Sequence, residues 1–193
     1  MIIIHIKSAT IIETLTILFA VTCISAFLLT ACSGSGDTST SAAVKVMTHE
    51  VTVQRGAFLV ETLGCNDCHS PKRMTASGPK IIPEVILSGY PAYRKLPDQD
   101  KNALKKGWLL FAPDLTAAAG PWGVSFAANL TPDPSGIGLW PCENFKRALT
   151  LGKFKGIEAS RTLLPPMPWQ NYANLPDEDV KAIFAYLNSI KLV

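Results

Sequence analysis

Histidine, charge and, over the first part of the chain, proline are all scarce in this sequence. The three histidines are His5, His49 and His69. A structural zinc site needs a second Cys/His pair, and beyond His69 the body of the chain offers only His49. Charged residues make up 17% of the chain, below the globular norm of about 25%, which excludes a highly charged disordered protein. The net charge of +3 is too small to argue for a nucleic-acid partner. All 14 prolines follow Cys68, whereas 21 of the first 31 residues are apolar. The chain is therefore an apolar leader, a polar joint and a proline-punctuated body.

From Leu15 to Ala31 the leader is almost unbroken apolar, with no charge after Glu13 and only Lys7 and the start amine as a positive flank. It ends Leu29-Thr30-Ala31-Cys32, followed at once by the Ser/Gly/Thr stretch Ser33 to Ser41. This resembles a bacterial lipoprotein signal. The resemblance implies removal of residues 1–31, acylation of Cys32, and a body held at a bacterial membrane on the periplasmic side. The alternative is an uncleaved membrane helix, since the apolar run beginning at Ile11 is long enough to cross the hydrocarbon core. Glu13 and the small residues before Cys32 count against it. Residues 32–50 read as a flexible tether and 51–193 as one domain.

Five cysteines do not make a disulfide framework here. Cys23 lies in the leader and Cys32 is the candidate lipid site, which leaves an odd number in the body. Cys65-Asn66-Asp67-Cys68-His69 is the attachment pattern of a c-type haem. One helical turn sets the two thiols where they can add to the two vinyl groups of one porphyrin, and the adjacent histidine is directed at the iron. A thioredoxin-like dithiol would need a preceding strand and a βαβ context, and neither is visible. One motif implies one haem. Cys142, beside Trp140-Pro141, reads as a small buried hydrophobe rather than a reactive thiol.

Iron with one histidine needs a sixth ligand or keeps an open site. Met74 is too close to His69 to reach the opposite haem face comfortably, and Met47 lies in the tether. Met167 sits in Leu164-Pro165-Pro166-Met167-Pro168-Trp169, where three prolines stiffen the backbone. A rigid loop loses little entropy on presenting a weak thioether ligand, so Met167 is preferred over His49 and over ordinary core filling.

The segment Pro166 to Val180, together with Arg55-Gly56…Gly64-Cys65 and Gly120-Pro121-Trp122-Gly123…Asn129-Leu130-Thr131-Pro132-Asp133, resembles class I c-type cytochrome domains. It is most like membrane-attached monohaem cytochromes and the cytochrome subunits of periplasmic dehydrogenases. The resemblance covers about residues 51–191. It implies an all-α, cytochrome c-like fold around one covalently attached haem, with the first and last helices crossing closely at Gly56. It also gives Pro79, in Gly78-Pro79, the family role of accepting a hydrogen bond from the proximal histidine through its carbonyl. Trp122, Trp140 and Trp169 could equally line the haem pocket or be plain core.

Periodicity supports the last helix independently. Val180, Ile183, Phe184, Leu187 and Ile190 form one apolar stripe behind an acidic first turn, Asp177-Glu178-Asp179. A first helix is expected over about 51–63 and a third over about 143–151, closed by Gly152. The stretch 84–128 has no strong period and reads as an elaborated loop with one short helix near Asp98–Lys106. The function expected is single-electron transfer by a tethered, His69/Met167-ligated cytochrome, not catalysis. Its partners would be redox proteins: a dehydrogenase, an oxidase or another cytochrome. Lys95, Lys101, Lys105, Lys106, Lys153 and Lys155 could form a basic rim that steers acidic partners. The rival readings are a dedicated dehydrogenase subunit, and a haem enzyme or gas sensor whose methionine dissociates.

Overall fold

The structure is a computed structural model and describes residues 48–193. The leader, Cys32 and nearly all of the tether lie outside the described residues.

Helix α1 spans His49–Thr62, two residues ahead of the expected start, because Thr48 caps it by accepting from the Val51 amide through its hydroxyl. His49 is exposed at its first position. Gly64, in the left-handed region at φ 71°, turns the chain directly into the one-turn helix α2, Cys65–His69. Three further helices follow: α3 over Lys101–Lys105, α4 over Cys142–Leu151 and α5 over Asp177–Ser189. Asp100 caps α3, its Oδ1 accepting from the amides of Asn102 at 2.8 Å and Ala103 at 3.0 Å. No helix among the described residues is long and apolar enough to cross a membrane.

The core forms where α1 crosses α5. The expected stripe buries Val180, Ile183 and Leu187 against Leu59 and Val60, and α4 adds Phe145 and Leu149. Gly56 lies at the closest approach. A Cβ there would run into the Ala182 carbonyl and the Tyr186 side chain, so only glycine fits. Arg55 forks onto Asp179 across the crossing, Nε to Oδ1 at 2.8 Å and Nη2 to Oδ2 at 3.0 Å. Helix α4 ends at Gly152, φ 63°, which tucks beneath the Trp169 ring.

The expectation of an all-α domain needs correction, since the described residues are mainly helical but include two small antiparallel sheets. Strands β1 (Lys72–Thr75) and β2 (Gly78–Ile81) form a hairpin with Met74 opposite Pro79. Strands β3 (Leu110–Phe111), β4 (Ala117–Gly120) and β5 (Gly123–Phe126) form a meander, in which Ala118 faces Ser125. Neither sheet carries the alternation that marks a half-buried strand. The hairpin opens on Lys-Arg-Met-Thr, mostly in water, and β4 is a run of alanines buried on both faces. Alanine has no β-preference of its own, so this strand is a product of packing.

Candidate functional site

Helix α2 brings Cys65, Cys68 and His69 onto a single turn. Both thiols are free and half-buried. Burial pushes the Cys65 thiol up to about 11 and raises that of Cys68, so neither is the activated thiolate of a disulfide exchanger. His69 Nδ1 lies 2.8 Å from the Ala128 carbonyl. A carbonyl can only accept, so Nδ1 carries the proton and Nε2 keeps its lone pair. Burial holds the imidazole below its ordinary pKa against the opposing pull of that hydrogen bond, and the ring is neutral. A neutral ring oriented through Nδ1–H is the form in which histidine ligates a metal.

The orienting carbonyl is not that of Pro79. Pro79 lies exposed on β2, across from Met74, and Ala128 takes the role instead. The hairpin turns the Gly78-Pro79 segment outward; the chain returns to the His69 turn at Leu87 and Gly89, but a carbonyl meets the imidazole only at Ala128. A backbone acceptor has no residue signature, which is why sequence could not find Ala128. The nearest signal was Asn129, whose side chain accepts from the Thr131 amide at 2.8 Å and shapes the turn that follows.

Several contacts immobilise α2. Ser70 donates through Oγ to Asn66 Oδ1 at 2.7 Å and accepts from the Leu87 amide at 2.9 Å. Asn66 in turn donates to Glu61 at 3.0 Å, and the His69 carbonyl accepts from the Gly89 amide at 2.8 Å. Leu87 is fully buried in the core, so the turn is fastened to the most solid part of the fold.

Met167 is half-buried and packs, like Cys65, against the central apolar cluster. Two contacts fix its loop. Tyr172 reaches back to donate to the Leu63 carbonyl at 3.1 Å, two residues before Cys65. Ser125 on β5 donates to the Pro165 carbonyl at 2.6 Å and accepts from the Trp122 indole N–H at 3.3 Å. Trp122 is thereby committed to its own hairpin, folded over Gly120, while Trp140 packs on the core. Met74 is 61% exposed and is not gathered with these residues. Cys142 is only half-buried, and burial raises its thiol pKa.

The excursion also carries the half-buried Arg94 paired with the buried Asp114, Nη1 to Oδ2 at 2.7 Å, with Arg94 Nη2 donating to Thr116 at 2.7 Å. Arg94 Nε is buried without a partner. Arg94 lines an open cleft of about 480 Å³ with Tyr90, Leu96, Phe126 and Ala127, adjoining the residue that orients His69. A buried, unsatisfied cationic donor beside the site suits a carboxylate-bearing cofactor. Two thiols on one turn and a neutral oriented histidine make a donor set that fits a haem, and Met167 packs on the same apolar cluster as Cys65.

These features define a small, mainly helical domain organised around a Cys-x-x-Cys-His turn and a methionine loop. No protein-family model matches the chain. It is 30% identical over 152 residues to the gluconate 2-dehydrogenase cytochrome c subunit of Pantoea cypripedii, covering 78% of this chain and 26% of that one. To the fructose dehydrogenase cytochrome subunit of Gluconobacter japonicus it is 40% identical over 141 residues, covering 72% and 21%. A shorter match, 40% over 68 residues, covers 34% of this chain and 13% of the cytochrome c subunit of the quinone-dependent alcohol dehydrogenase of Gluconobacter oxydans. The chain is similar to cytochrome c subunits of dehydrogenases, and it spans about a quarter or less of the length of these curated relatives.

Proposed function

We propose that the chain is a monohaem c-type cytochrome with a cytochrome c-like fold, passing single electrons between redox proteins rather than catalysing a reaction itself. In this reading Cys65 and Cys68 hold the haem covalently, His69 is its proximal ligand and Met167 its sixth ligand. The observation that carries it is His69, presented neutral with Nδ1–H bound to Ala128 and Nε2 left for iron, on the same turn as both thiols. Haem supplies one-electron chemistry when bound; the protein supplies ligand geometry and burial. The leader extends the proposal: residues 1–31 as a lipoprotein signal, Cys32 as the acylated residue, and a periplasmic, membrane-held location.

One spectrum tests the centre. The reduced protein is expected to show the sharp α-band of a c-type haem, and the oxidised protein the weak near-infrared band of methionine on iron. Met167→Ala should abolish the second band and keep the first. Survival of the near-infrared band in that variant would overturn the ligand assignment.

The relatives favour a more specific role, as the electron-accepting subunit of a dehydrogenase complex. Exposed Lys95, Lys101, Lys105 and Lys106 on the excursion suit steering of an acidic partner. Purification from native membranes should then yield the chain together with a dehydrogenase, and recovery of the chain alone would return it to the free-carrier reading. Ready binding of carbon monoxide by the ferrous protein at neutral pH would instead favour a sensor or enzyme with a dissociable methionine.

A further inference from the structure

Lys72 opens β1 three residues beyond His69 and takes part in none of the salt bridges among the described residues. Its ammonium group lies instead among four backbone carbonyls: Asp67 at 2.7 Å, Ser70 at 2.9 Å, and Asn66 and Asp114 at 3.1 Å each. Three of these belong to α2 and the residue that ends it, at a helix C-terminus where a positive charge is favoured; of them, Asn66 also accepts from the Ser70 amide. The fourth comes from the 84–128 excursion. An ammonium ion has three protons, so four acceptors satisfy it fully and leave no freedom to turn away.

Carbonyl dipoles solvate a cation without cancelling it. The nearby Asp114 carboxylate is committed to Arg94 and Thr116, and Asp67 is exposed to water. Lys72 therefore keeps its positive charge, offset only in part by the nearby Asp114 and Asp67 carboxylates, and that charge is fixed in position beside the turn that bears His69. Reduction of iron(III) by one electron lowers the positive charge of the centre, and a fixed neighbouring cation favours the reduced state.

We propose that Lys72 is a positioning residue of the redox centre: it ties the Cys65–His69 turn to the excursion and biases the iron toward its reduced form. The proposal rests on the haem reading above. It deepens that reading by naming a residue that neither touches the iron nor belongs to the attachment motif.

The experiment is an equilibrium redox titration of the full-length, haem-loaded protein against a mediator of known potential. Lys72→Met should shift the reduced-to-oxidised ratio at a fixed poise about three- to tenfold toward oxidised. A tenfold change corresponds to 59 mV for a one-electron couple. Lys72→Arg, which keeps the charge, should stay within about twofold of the wild type. Lys72→Gln keeps two N–H donors for the same carbonyls without the charge, so it reads the same quantity if the methionine variant loses haem. The shift should persist at high salt, because a charge held among carbonyls is screened less than one in water. Neutral variants with the wild-type potential, or a shift that vanishes in salt, would overturn the role of Lys72 alone. A wild-type protein without a c-type spectrum would overturn the haem reading and this proposal with it.

Discussion

The crossing of α1 with α5 and the excursion over residues 84–128 support the same site by different means. At the crossing, Val60, Val180, Ala182, Ile183 and Leu187 are all at most 2% exposed, and each large side chain buried there contributes about 1.5–3 kcal/mol. The excursion reverses the pattern. Apart from the fully buried Leu87, several of its large apolar side chains, Tyr93, Trp108 and Phe126 among them, lie in water, while Asp114 and Thr116 are buried. What the excursion adds is position. Through the Asp114 carbonyl, and through the Ala128 carbonyl at its edge, it grips the His69 turn; through Ser125 it grips the Met167 loop. Stability and ligand geometry are therefore assigned to different parts of one domain, and mutations should separate them.

The largest effect is expected at the crossing. Gly56→Ala places a Cβ against the Ala182 carbonyl, and a backbone atom inside a helix cannot yield as a side chain would. The loss should approach about 3 kcal/mol, the upper end of overpacking effects. Urea unfolding followed by circular dichroism measures it. A loss below about 1 kcal/mol would mean that the helices separate easily, and the contrast with the excursion would weaken.

Asp114→Asn should come next, at about 2 kcal/mol, because it leaves the half-buried Arg94 without its counter-charge. Burial alone would raise the Asp114 carboxyl, but hydrogen bonds from Arg94 and Thr116 outweigh it and hold the pKa below the ordinary value. The stabilisation is therefore complete above the unfolded pKa of about 3.9 and is lost as pH falls through the lower folded value. Unfolding midpoints of wild type and variant should stay apart above about pH 5 and converge below about pH 4. A gap that does not change with pH would show that the ion pair is not its source.

The helical frame was legible because its signals are local and repeated. The stripe Val180–Leu187, the acidic first turn at Asp177 and the glycine at position 152 each report their own element. The one-turn placement of Cys65, Cys68 and His69 was legible for the same reason, since it follows from residue types at fixed spacing. The excursion was opaque because its work is done by main-chain groups. Nothing in the letters Ala128 or Asp114 says that a carbonyl will face His69 or Lys72, and Gly78-Pro79 offered a plausible acceptor that the β1–β2 hairpin carries away. Buried Ala117-Ala118-Ala119 lacks strand propensity altogether, so its place in a sheet follows from tertiary packing.

Ser125→Ala should have the smallest effect on stability and the most selective effect on the site. The Ser125 hydroxyl holds the Pro165 carbonyl at 2.6 Å, two residues before Met167, in a loop whose backbone is largely open to water. Water can replace that bond, so the global unfolding midpoint should move by less than about 1 kcal/mol. The methionine is a different matter. In the proposed ligation its thioether is a weak iron ligand, so a modest loosening of the loop should shift the balance between bound and released sulfur measurably. On heating, the near-infrared band of the variant should fade well before the protein unfolds, whereas in the wild type the two losses should lie closer together. If band and fold are lost together in the variant as well, the Met167 loop is held by the helical core through Tyr172 and the apolar cluster. The excursion would then orient only the histidine side.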